Sequence, residues 1–124
     1  MLGPVKLTFR NKCFLLRWKQ KVFDYFDAWN SFDADMLRNT LHNDVTLTDW
    51  EITVTGIEAV LEANRAIQIQ FPEAHIQVID VAFAGISKAF AQITIDLASG
   101  NILDVVDVFE FKNDKICKIF AYKK

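Results

Sequence analysis

Apolar positions at Leu15, Trp18, Val22, Tyr25, Phe26 and Trp29 recur at steps of three and four. That spacing lays one stripe along a helix and predicts a first helix from about residue 14 to Asn30. Ser31 to Asp33 breaks the stripe, and Asp33 is placed to cap a short second helix, ADMLRNTL, through Leu41. Asn43-Asp44 reads as a turn into an alternating strand with Val45, Leu47 and Asp49 on one face and Thr46, Thr48 and Trp50 on the other. A short extended piece, Ile52 to Thr55, leads to Gly56. A third helix fits Ile57 to Gln70, its stripe made of Ile57, Val60, Leu61, Asn64, Ile67 and Phe71, and Pro72 ends it.

Beyond Pro72 the period changes from 3.6 to 2, which predicts strands at His75 to Ala84, Lys88 to Ala98, Ile102 to Phe111 and Lys115 to Tyr122. The connections Gly85-Ile86-Ser87, Ser99-Gly100-Asn101 and Lys112-Asn113-Asp114 are short and rich in turn residues, so neighbouring strands are expected to be antiparallel hairpins. Helices first and a meander afterwards mean an α+β fold: a curled, mainly antiparallel sheet holding the helices on its concave side around a cone-shaped apolar pocket.

Composition narrows what such a fold can be. A chain of 124 residues, 52% hydrophobic with 11 Phe and 3 Trp, has material for one core and one domain. Cys13 and Cys117, the two cysteines, are too few for a disulfide scaffold, so a reducing, cytoplasmic interior is the expected location. With His42 and His75 as the two histidines, no His/Cys metal cluster is expected, nor a cofactor. Every apolar run is interrupted well before the roughly 18 residues a membrane span needs.

Charge is uneven. Residues 1 to 21 carry Lys6, Arg10, Lys12, Arg17, Lys19 and Lys21 without an acid, leaving 8 basic against 16 acidic side chains elsewhere. A domain of that sign repels nucleic acid. Residues 1–16 are read as a basic extension, an ordinary flexible start or an added strand through Val5, Leu7 and Phe9, with a membrane-surface or partner-binding amphipathic segment as the other reading, and residues 17–124 as the domain.

Three ionisable residues fall on faces predicted to be apolar. Asp107 stands among Leu103, Val105, Phe109 and Phe111, while the alternate face carries Asp104 and Glu110. Burial without a cation disfavours the charged carboxylate and raises its pKa. Asp49 shares a face with Val45 and Leu47 at a strand end, with no basic residue between Arg38 and Arg65 to pair with it; a turn or cap role is its other reading. Tyr25 lies between Val22 and Trp29 on the inner helix stripe, so its phenol needs a buried partner. Trp29, Trp50, Val105 and Phe109 are expected to line the pocket beside these three. A base carboxylate with two neutral donors is what removal of a proton next to a carbonyl requires.

Through WNSFDADMLRNTLHNDVTLTD (29 to 49), GIEAVLEANRAIQIQFPEAHIQVIDV (56 to 81) and DVVDVFEFKNDKICKIFAY (104 to 122), the chain resembles the nuclear transport factor 2-like superfamily. The likeness is to its ketosteroid isomerase and SnoaL-like polyketide cyclase branch. The resemblance implies an oxyanion tyrosine at Tyr25, five residues before Asn30; a base at Asp49, closing VTLTD; and a protonated second oxyanion donor at Asp107 in DVFEF. The raised pKa of that last aspartate is a property of ketosteroid isomerase. Trp50 departs from the proline turn common after the base. No Arg follows Arg65, against an epoxide-hydrolase variant, and His75 is the one candidate for a dehydratase-type Asp-His pair.

The expected function is therefore binding of an apolar, carbonyl-bearing small molecule, with cofactor-independent isomerase or cyclase chemistry. A non-catalytic ligand-binding or dimerisation module of the same fold is the alternative. The outward set Phe90, Ile102, Val106 and Val108 is too apolar for a solvated face and predicts a homodimer through sheet faces.

Overall fold

The computed structural model describes residues 9–124. Three helices, α1 (Phe9–Ser31), α2 (Ala34–Thr40) and α3 (Ile57–Gln70), pack on one six-stranded sheet. Its strands are β1 (Leu41–Thr48), β2 (Thr53–Thr55), β3 (His75–Ala84), β4 (Lys88–Asp96), β5 (Ile102–Lys112) and β6 (Lys115–Lys123). The spatial order is β2-β1-β6-β5-β4-β3. β3 to β6 form the expected antiparallel meander, whereas β1 joins β6 in parallel, so the sheet is mixed and remains open between its edge strands β2 and β3. Register shifts at Leu41/Thr46, Val78/Asp80 and Glu110/Phe111 mark bulges, which sharpen local twist and curl the sheet toward the helices.

Two boundaries differ from the sequence reading. Asn43-Asp44 is no turn: the N–H of Leu41 caps α2 by bonding Arg38 O, and the chain passes straight into β1, the polar residues falling where the register shifts. α1 begins at Phe9 rather than near residue 14. Of the strand imagined through Val5, Leu7 and Phe9, the first two residues lie outside the described ones and Phe9 opens the helix.

The core is the zone where the α1 stripe meets the concave sheet. Val22, Phe26, Val45, Val60, Ile93, Phe109, Ile116 and Ile119 are all at most 1% exposed. Burying such side chains contributes about 1.5–3 kcal/mol each. α1 is pinned at both ends of its packed length. Trp18 stacks on Phe111 at 4.6 Å between centroids and donates its indole N–H to Ile86 O. At the other end the Asn30 amide donates to Ile76 O and accepts from Ile76 N, both at 2.8 Å, tying the helix to the start of β3. A left-handed Phe32 (φ 57°) turns the chain, and Asp33 caps α2 by accepting from Met36 N at 3.0 Å. These anchors fix which α1 residues face the sheet, Tyr25 and Trp29 among them.

Candidate active site

Between α1, α3 and the concave sheet lies a cavity of about 350 Å³. Its inner part is walled by Leu47, Ile93, Val105 and Ile119 together with Tyr25, Asn64 and Asp107; Trp50, Glu51, Gln70 and Lys123 form its exposed rim.

Asp107 sits in mid-strand on β5, where ladder pairing uses the backbone groups around it. Its cross-strand neighbours are Ala91 on β4 and Ala121 on β6. Two alanines offer no donor and little volume, so the carboxyl, 7% exposed, faces the cavity among apolar walls. Burial first, and the Asp49 carboxylate second, push its pKa up to about 7. No cation is among the groups that shift it.

Tyr25 is held by aromatic packing: its ring meets Phe26 edge-on at 5.3 Å and Phe109 at 5.6 Å. Burial, and then the Asp107 charge, raise the phenol's pKa, while the adjacent Asn64 side chain pulls it back. The phenol therefore stays protonated at neutral pH and keeps a hydrogen it can donate.

Asp49 follows the last residue of β1 and is half-buried. Its Oδ1 accepts from Glu51 N at 2.7 Å and Ile52 N at 2.8 Å, and its own N–H donates to Ile52 O at 2.9 Å. The turn reading of Asp49 is thus realised, but the turn engages Oδ1 and so fixes how the carboxylate enters the cavity. Trp50, 40% exposed, follows at the rim, with Lys123 Nζ 5.1 Å from its ring centroid.

Tyr25, Trp29, Asp49, Trp50, Val105 and Asp107 therefore border one cavity. Phe109 does not: it is fully buried beneath the Tyr25 and Phe26 rings and supports the wall rather than forming it. His75 is exposed at the start of β3, opposite Asp96 and off the cavity wall. Asn64, read in the sequence as one member of the α3 stripe, is a polar wall residue with 3% exposure. Its signal was the single amide in an otherwise apolar stripe. Among the described residues, no group of three or more His, Cys, Asp or Glu side chains could hold a metal ion, and no helix is long and apolar enough to cross a membrane.

The model of the SnoaL-like domain matches residues 22–119. Among solved structures, the chain is similar to a candidate polyketide cyclase from Sinorhizobium meliloti, with 21% identity, 82% of this chain and 93% of that one covered, and a TM-score of 0.76. A candidate ketosteroid isomerase from Kribbella flavida aligns at 17% identity over 87% of this chain and 78% of its own, TM-score 0.77. A SnoaL-like protein of unknown function from Burkholderia thailandensis aligns at 20% identity over 96% and 99%, TM-score 0.75. At these identities the likeness shows a shared nuclear transport factor 2-like fold. No curated protein gives a significant sequence match.

Proposed function

The chain belongs to the SnoaL-like domain family, and we propose that it binds an apolar, carbonyl-bearing small molecule in its conical cavity and moves a proton on it without a cofactor. The observation that carries this reading is the buried carboxyl of Asp107, set between Ala91 and Ala121 on the same cavity wall that Tyr25 and Asp49 reach.

In this reading Asp49 takes the proton from the carbon next to the carbonyl. The C–H electron pair becomes a C=C bond, the carbonyl π pair moves onto oxygen, and Tyr25 and neutral Asp107 donate hydrogen bonds to that oxygen. Where a β,γ double bond extends the enolate, returning the proton from Asp49 to the far carbon isomerises the molecule; attack of the carbanion on an internal carbonyl closes a ring, and the alkoxide so formed takes the proton back from Asp49. The Oδ1 turn supports the role of Asp49, because a carboxylate held in one orientation removes a proton without first being ordered.

Solvent exchange at an activated C–H tests this without knowledge of the natural substrate. In D₂O the chain should accelerate deuteration of the benzylic α position of β-tetralone well above the buffer rate. Exchange no faster than with an equal concentration of an unrelated protein would favour the non-catalytic, ligand-binding reading.

The reading extends to assembly and location. On the outer sheet face Ile102, Val106 and Tyr122 are exposed and Phe90 and Val108 half-buried, which supports a homodimer through that face. Sedimentation at micromolar concentration should show a species of twice 14.2 kDa, and a purely monomeric boundary would reject it. The cytoplasm remains the proposed compartment, supported by Cys13 and Cys117 being free thiols.

A further inference from the structure

The proposed chemistry gives Asn64 no part, and yet Asn64 breaks two local rules at once. It stands in the interior of α3, where asparagine is a weak helix former, and on the face that buries Val60. It is also 97% shielded from solvent by its 3% exposure, and its amide Nδ2 has no hydrogen-bond partner among the described residues. A buried N–H with nothing to bond is costly, and an apolar residue here would be the simpler solution for the fold. Departures of this kind mark positions kept for function.

Asn64 lines the same cavity as Tyr25 and Asp107. Its side chain leans on Tyr25 through a hydrogen bond that holds down the phenol's pKa, but the contact is too loose to satisfy the amide nitrogen. On the cavity wall that unsatisfied donor has room for an acceptor the ligand brings. A carbonyl oxygen has two lone pairs. Tyr25 and neutral Asp107 occupy both in the reading above, so a third donor calls for a second acceptor atom.

Resting on that reading of the cavity, we propose that Asn64 is a specificity-determining residue whose Nδ2 donates to a second acceptor oxygen of the ligand. The cavity then selects apolar molecules carrying two acceptor oxygens over those carrying one.

Two probes of matched shape test this: naphthyl propyl ketone, and naphthyl methoxymethyl ketone, in which an ether oxygen replaces one methylene. The wild-type chain should bind the methoxy ketone about two- to tenfold more tightly, the range of one net hydrogen bond. Asn64→Leu should abolish that preference. Tyr25→Phe should weaken both probes and keep the preference. Should Asn64→Leu fail to fold, the side-chain amide signal of Asn64 in the wild-type chain gives a second readout: it should move in NMR spectra on adding the methoxy ketone and stay near its free position with the propyl ketone.

Absence of a wild-type preference, its survival in Asn64→Leu, or an amide signal indifferent to the ether oxygen would overturn the assignment. A preference that vanishes equally in Tyr25→Phe, with no further change in the double variant, would make Asn64 a positioning residue for the phenol and also overturn it. Equal binding of the propyl ketone by wild type, Tyr25→Phe and Asp107→Leu would instead sink the carbonyl reading, whatever Asn64 does. A wild-type chain that binds neither probe would remove both.

Discussion

The floor and the rim of the cavity each hold an aspartate, and the two are treated in opposite ways. Asp107 at the floor stands in mid-strand between two alanines, with its neighbours' backbone groups committed to the ladder. Asp49 at the rim stands where β1 has ended and the chain turns, so two N–H groups, Glu51 and Ile52, are free to bond its Oδ1. Burial and the Asp49 charge push the floor carboxyl up to about 7, while the rim carboxylate is held in one orientation by its two backbone donors. One residue type is thus left without partners or tied into a turn according to whether the local backbone has donors to spare.

The largest expected effect breaks the rim half. In Asp49→Asn the amide Oδ1 can still accept from Glu51 N and Ile52 N, so the fold should survive, while removal of the basic oxygen should cut α-proton exchange by about 10²–10⁴. Exchange and thermal melting measured on the same sample check both statements.

Stability against pH probes the floor half. The Asp107 carboxyl has a folded pKa of about 7 against 3.8 for the ordinary group. Between those values the folded chain binds more protons than the unfolded one, so its unfolding free energy falls as pH rises through this window and levels off above it. The full drop is about 4 kcal/mol, at 1.36 kcal/mol per pKa unit. Urea titrations from pH 4 to 8 should show this fall, and Asp107→Leu should lack it, ending more stable than wild type at pH 8. The same variant should lose about 3 kcal/mol of transition-state stabilisation, as expected for a removed oxyanion donor, with Asp107→Asn retaining more activity than Asp107→Leu.

The smallest effect belongs to the rim cation. Lys123→Met removes the charge over Trp50, a contact worth about 0.5–1 kcal/mol at an exposed site, and should alter ketone affinity only slightly. A shift of the Asp107 titration in that variant, read by the pH dependence of unfolding, would mean that floor and rim are coupled more closely than their separation in burial suggests.

Much of this was legible because helix and strand periods differ. The stripe Val22, Tyr25, Phe26, Trp29 and the alternation Leu103, Val105, Asp107, Phe109 each assign a face, and facing alone brings Tyr25 and Asp107 to one cavity. Asp49 was legible in position but not in its turn, since an aspartate at a strand end suits either role. Phe109 was misjudged because alternation tells the face of a strand and not what covers it: the Tyr25 and Phe26 rings lie over that position. Leu41 illustrates another limit, a helix running into a strand with no turn residue between, its bulge placed by pairing with β6 that local sequence does not encode. Asn64 hid in the α3 stripe because an amide at one apolar position reads as tolerated until its lack of a partner is seen.

The central claim is that burial lifts the Asp107 carboxyl at the floor of the cavity far above the ordinary carboxylate range, so that it carries a proton up to about pH 7. Its side-chain carboxyl carbon, followed by ¹³C NMR through a pH titration, measures that directly. The midpoint should lie near 7 and move higher when naphthyl propyl ketone fills the cavity and deepens the burial. A midpoint in the ordinary carboxylate range, unmoved by the ketone, would contradict it.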